Sequence, residues 1–79
     1  MNETIINRIE NTLPILEAND CSDISNNISD AIHYSTTGTE LLMKTKYYFQ
    51  QFLKKKITLS KNDLCMINRI ITEIDIKLS

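Results

Sequence analysis

Proline and glycine occur once each in this 79-residue chain, as Pro14 and Gly38; histidine occurs only as His33, and tryptophan is absent. So few turn-forming residues leave little punctuation for hairpins, which argues against a β-sandwich or barrel. A single glycine also leaves no glycine-rich loop to cradle phosphates. One histidine and two isolated cysteines supply none of the C-x-x-C or H-x-x-x-H spacings of a zinc site, so no metal and no cofactor is expected. Cys21 and Cys65 stand 44 positions apart, and in a reducing compartment two free thiols are expected rather than a disulfide. Apolar runs are too short to cross a membrane. The chain opens without the basic start and apolar core of a secretion signal, so the expected compartment is the cytosol.

What the chain does have is a helical rhythm and a charge split. At 79 residues it is expected to be one small domain, whose stability margin is thin because it buries only about 60% of its unfolded surface. The net charge of −1 hides two unlike halves. Residues 1–40 carry Glu3, Glu10, Glu17, Asp20, Asp23, Asp30 and Glu40 against Arg8 alone, a net of −6. Residues 41–79 carry eight bases against Asp63, Glu73 and Asp75, a net of +5. Such a split either points to a charged partner or lets the two halves attract each other within the fold.

Apolar residues recur at steps of three and four almost throughout. Ile5, Ile6, Ile9, Leu13 and Leu16 form the first helical stripe, with Asn2 as a cap. Pro14 either ends this helix near Asn11 or kinks it on its way to Ala18. "ANDCSD" reads as a loop. Ser22 or Asp23 is then expected to cap a second helix whose inner face is Ile24, Ile28, Ala31 and Ile32. In "HYSTTGTE", Thr37 and Glu40 have the spacing of a capping box, and Gly38 could equally be the left-handed residue that stops the second helix. A third helix, Thr39 to about Lys55, presents Leu41, Leu42, Thr45, Tyr48, Phe49, Phe52 and Leu53, with Lys54, Lys55 and Lys56 at its dipole-favoured end. Ser60 to Asp63 offers a cap for a fourth helix with the seam Leu64, Ile67, Ile71, Ile74 and Leu78. The expected fold is all-α, a small antiparallel four-helix bundle over residues 1–79.

His33 stands among Ser35, Thr36 and Thr37, but no acid can be assigned to orient it, so a hydrolytic site is not expected. Glu3, Asn7, Glu10 and Glu17 fall beside the stripe of the first helix. Asp23, Asn26 or Asn27, Asp30 and His33 or Tyr34 repeat that spacing on the second, with Asp20 between them. Two neighbouring helices would thus turn carboxylates and amides outward, a surface suited to a basic partner. Met43 and Tyr47, four apart on the third helix, point off its core face as a second adherent strip. Ile70 and Ile76 likewise fall off the fourth-helix seam, which implies either a wider core or self-association as a homodimer.

"ISDAIHYSTTGTELLMKTKYYFQQFL", residues Ile28 to Leu53 and about a third of the chain, resembles small helical immunity proteins of bacterial contact-dependent inhibition and related polymorphic toxin systems. The similar features are an apolar helix ending in the hydroxyl-rich "TGTE" corner, then "LLM" and an aromatic-bearing amphipathic helix. The resemblance implies a non-catalytic inhibitor that binds a cognate toxin domain, such as an EndoU-type RNase or another nuclease, and covers its active site. The expected contact residues are Glu10, Glu17, Asp20, Asp23, Asp30, His33 and Tyr34, with Met43 and Tyr47 as a second patch. The alternative is a small regulatory or nucleic-acid-binding helical domain that uses Lys44, Lys46, Tyr47 and Lys54–Lys56 against phosphates.

Overall fold

The computed structural model describes residues 4–55 and 59–79. Four helices follow in order: α1 Ile5–Ala18, α2 Ser22–Tyr34, α3 Gly38–Lys54 and α4 Lys61–Leu78. Each packs on its chain neighbours, and α4 closes the ring against α1. The connections between α1 and α2 and between α2 and α3 are three residues each, so consecutive helices run antiparallel. This is the all-α four-helix bundle that the apolar rhythm predicts.

The core draws on every helix: Ile9 and Leu16; Ile24, Ile28 and Ala31; Leu41, Phe49 and Phe52; Ile67, Ile70 and Ile74. Burial of a large side chain of this kind stabilises by about 1.5–3 kcal/mol. Packing of this stripe carries α1 on past Pro14 to Ala18, so the helix does not end near Asn11. The ring removes one amide and clashes with the carbonyl of Glu10, but both positions are exposed, so water can satisfy that carbonyl.

The expected caps hold in two places and shift in three. Ser60 Oγ accepts from the Asp63 amide at 3.2 Å, and Thr37 Oγ1 accepts from the Glu40 amide at 3.1 Å, both as the sequence predicts. Asn2 lies outside the described residues; α1 is capped by Thr4, whose hydroxyl accepts from Asn7 N–H. Neither Ser22 nor Asp23 caps α2: both lie inside it, and Cys21 holds the cap position without a side-chain bond to the amides of the first turn. Gly38 does not stop α2 either, because it is the first residue of α3.

The left-handed residue is instead Asp20, with φ 59°. Asp20 N–H donates to the Glu17 carbonyl and Cys21 N–H to the Leu16 carbonyl, at 3.2 and 2.9 Å. That pair of bonds is a Schellman motif, and its apolar contact is Cys21 buried in the core cluster with Leu16. "ANDCSD" is therefore a tight helix stop followed at once by the next helix.

On α4 the core line is turned from the expected seam. Ile70 is buried at 1% exposure, while Leu64 is 41% exposed. The helix packs against α1 on one side and α3 on the other, so its buried stripe widens to include Ile70. Ile70 is therefore core and unavailable for a dimer contact, whereas Ile76 is 68% exposed. Cys21 and Cys65 are both free thiols, the first buried and the second exposed.

Candidate partner-binding surface

The acidic face can be placed from one ion pair. Arg8 on α1 bonds Glu73 on α4, and its guanidinium holds the Glu73 carboxyl below the usual carboxylate range. That contact marks the side of α1 that faces α4. At about 100° per residue, Glu10 and Glu17 lie about half a turn round the helix from Arg8. They therefore flank α2, the other helix on which α1 packs.

On α2 the exposed residues Asp23 and Asp30 share a line on the outer side, away from buried Ile24 and Ile28. Each pair, Glu10 with Glu17 and Asp23 with Asp30, is seven residues apart, a rise of about 10 Å. Because α1 and α2 are antiparallel, Glu17 and Asp23 stand at the same end, with exposed Asp20 in the turn between them. Glu10 and Asp30 stand toward the other end. The result is two rows of carboxylates joined by a fifth.

None of these five acids pairs with a base among the described residues. Glu40, Glu73 and Asp75, by contrast, pair with Lys44, Arg8 and Lys46. Arg8, the single base of α1 and α2, is turned away to α4. The charge split is therefore displayed on the surface: the halves do not neutralise each other through these acids.

The corner at "HYSTTGTE" is committed to local bonding. His33 Nδ1 donates to the Ser29 carbonyl at 2.8 Å, leaving Nε2 toward solvent. Thr36 donates its amide and hydroxyl to Glu40 Oε2 at 3.0 and 2.9 Å. The acid of the capping box thus reaches one residue further back than the motif requires. With Lys44 Nζ at 2.9 Å from its other oxygen, these bonds hold the Glu40 carboxyl at about 2, the Lys44 contact contributing most. No hydroxyl of the corner is bonded to the His33 ring among the described residues. His33 and Tyr34 end α2 beside the acidic rows, with Tyr34 78% exposed.

Met43 and Tyr47 are placed elsewhere. Lys46 on α3 pairs with Asp75 on α4, so the Lys46 side of α3 faces α4. Met43 and Tyr47 are about 60° and 100° round from it, so both point outward. They are 59% and 56% exposed, and the Tyr47 ring stands edge-on to Tyr48 at 5.3 Å between centroids. The nine expected contact residues therefore form two surfaces, seven on α1–α2 and two on α3. Ile76 belongs to neither: it is exposed on α4 and borders a groove with Arg8, Thr72 and Glu73.

The lysine face is also divided. Lys44 and Lys46 are held by Glu40 and Asp75, Lys54 and Lys55 are exposed, and Lys56 lies outside the described residues. Comparison with protein-family profiles, curated proteins and solved structures returns no match. No helix among the described residues is long and apolar enough to cross a membrane, and no group of three or more metal-ligating side chains is found among them.

Proposed function

We propose that this chain is a non-catalytic inhibitor of the immunity type, which binds a basic toxin domain through the outer face of α1 and α2. The observation that carries this reading is the set of five exposed carboxylates with no paired base among the described residues. Like charges gathered on one surface repel one another, and a cationic partner relieves that repulsion. A nuclease offers such a partner, because its active site must be cationic to hold phosphates. An EndoU-type RNase is the kind of target that the resemblance of Ile28 to Leu53 suggests. Inhibition would follow from occupancy: the carboxylate rows take the place of substrate phosphates, and the bundle behind them excludes RNA. His33 and Tyr34 extend the contact as neutral and aromatic groups at its edge, where tyrosine commonly contributes much binding energy.

The test is stoichiometric inhibition. The partner domain is captured from nuclease-treated native lysate, purified, and assayed on RNA with increasing amounts of this chain. Cleavage should stop near one equivalent of wild type and continue with the Asp23→Lys, Asp30→Lys double variant. A partner inhibited equally by both proteins would remove the acidic face from the account. A captured domain without any activity that this chain suppresses would remove inhibition itself.

A further inference from the structure

Two adjoining grooves run along α4, and Arg8 of α1 lines both. The larger, about 820 Å³, extends from Lys61 past Leu64 and Arg69 to Ile76, with Glu73 also in its lining. The smaller, about 290 Å³, shares Arg8, Cys65 and Arg69 with it and adds Met66 and Ile70. Leu64, Met66 and Ile76 are 41%, 39% and 68% exposed, so the apolar part of the lining is accessible to an incoming side chain.

The charge of the larger groove is of one sign. Arg8, Lys61 and Arg69 stand against Glu73 alone, and that acid is already bonded to Arg8. Lys61 and Arg69 are exposed and have no acidic partner among the described residues. They stand eight residues apart, a rise of about 12 Å. A fitting occupant must bring acids to these two cations and apolar groups to Leu64 and Ile76. A nucleic acid would supply phosphates and leave the apolar lining uncovered. A lipid surface is flat and does not follow a groove. An acidic amphipathic segment supplies both kinds of group, and the distance from Lys61 to Ile76, about 22 Å along α4, matches about four turns of a partner helix.

We infer that the groove along α4 is a second docking surface, which takes an acidic amphipathic helix of a partner protein. Its carboxylates meet Lys61 and Arg69, and its apolar side chains cover Leu64 and Ile76. Glu10 and Glu17 lie about half a turn round α1 from Arg8, so the groove stays open when the acidic α1–α2 face is covered. The chain can then hold a basic partner on one side and an acidic one on the other. The inference stands on the free protein and does not require the toxin reading.

The experiment uses the full chain and three synthetic peptides of about 15 residues. The first carries glutamate and leucine at helical spacing, the second has lysine for each glutamate, and the third has serine for each leucine. Binding is read at physiological salt from the amide resonances of α4 and from the alkylation rate of Cys65 by iodoacetamide. Cys65 is exposed and Cys21 is buried, so the rate reports on the groove. The acidic peptide should shift the Cys65, Arg69 and Ile76 amides and slow the alkylation severalfold, and the lysine peptide should do neither. Lys61→Glu with Arg69→Glu should weaken binding by about tenfold, and Ile76→Ser should weaken it severalfold. These three positions are exposed, and circular dichroism checks that the bundle is kept. Asp23→Lys with Asp30→Lys should not weaken it, which separates this groove from the face assigned to the toxin. An acidic peptide that neither shifts α4 nor protects Cys65 up to millimolar concentration overturns the inference. So does equal binding of the serine peptide, which would reduce the contact to charge attraction. Better protection of Cys65 by a short oligouridylate or by phosphatidylglycerol vesicles would assign the groove to phosphates and overturn it as well.

Discussion

Two threonines in the core should respond differently to the same substitution. Thr12 and Thr45 are both 0% exposed. Thr12 Oγ1 donates to the Ile9 carbonyl at 2.6 Å, whereas Thr45 Oγ1 has no hydrogen-bond partner among the described residues. A buried hydroxyl without a partner costs about 1–3 kcal/mol relative to water. Valine has nearly the same shape and a similar helix propensity, so Thr45→Val removes that cost without opening a cavity. The expected gain is about 1–2 kcal/mol, which for a domain of this size is a rise in Tm of roughly 5–15 °C. Thr12→Val gives up a bond whose net value is about 1 kcal/mol and gains a buried methyl of similar value, so it should be near neutral or slightly destabilising. Denaturant and thermal unfolding followed by circular dichroism would measure both. A Thr45→Val protein no more stable than wild type would mean that the hydroxyl is satisfied, and the reasoning would fail.

Other substitutions probe the helix ends. Pro14→Ala restores one amide and removes a clash in an exposed part of α1, so it should stabilise by about 1–3 kcal/mol in the same unfolding assay. Asp20→Gly relieves a left-handed backbone at φ 59° and should add about 0.5–1 kcal/mol, at the expense of one carboxylate of the proposed binding face. The Glu40 carboxyl, held at about 2 against an ordinary 4.5, contributes stability that is complete above 4.5 and is lost as the pH falls through about 2. The Thr36 amide resonance should therefore titrate near 2 in wild type and show no such transition in Glu40→Gln.

The bundle was legible because its signal is redundant. Stripes such as Ile24, Ile28 and Ala31 or Leu41, Thr45, Phe49 and Phe52 repeat the helical period, and too few turn formers are present for anything else. The ends were less legible, since a cap depends on one or two residues. Thr37 and Ser60 matched their motifs, but the stop after α1 uses Asp20 where glycine is the usual residue, and the one glycine begins α3 instead. The sequence leaves Ile70 open between a wider core and a dimer contact because a heptad seam describes one contact line, while α4 is covered on two sides. The acids of the candidate face could be picked out by spacing. That no base among the described residues pairs with them could not, because it depends on Arg8 turning to α4, a contact between residues 65 apart in sequence. The separation of Met43 and Tyr47 from the acidic rows was hidden for the same reason, since only the Lys46–Asp75 bond fixes which way α3 is turned.

The most direct measurement is the affinity of the captured basic domain for wild type and for Asp23→Lys with Asp30→Lys, by titration calorimetry at low and high salt. Reversing two carboxylates of the proposed contact should weaken binding by about 3 kcal/mol, or a hundredfold, with the difference shrinking as salt rises. Equal affinities at both salt concentrations would contradict the claim that the α1–α2 face binds the partner.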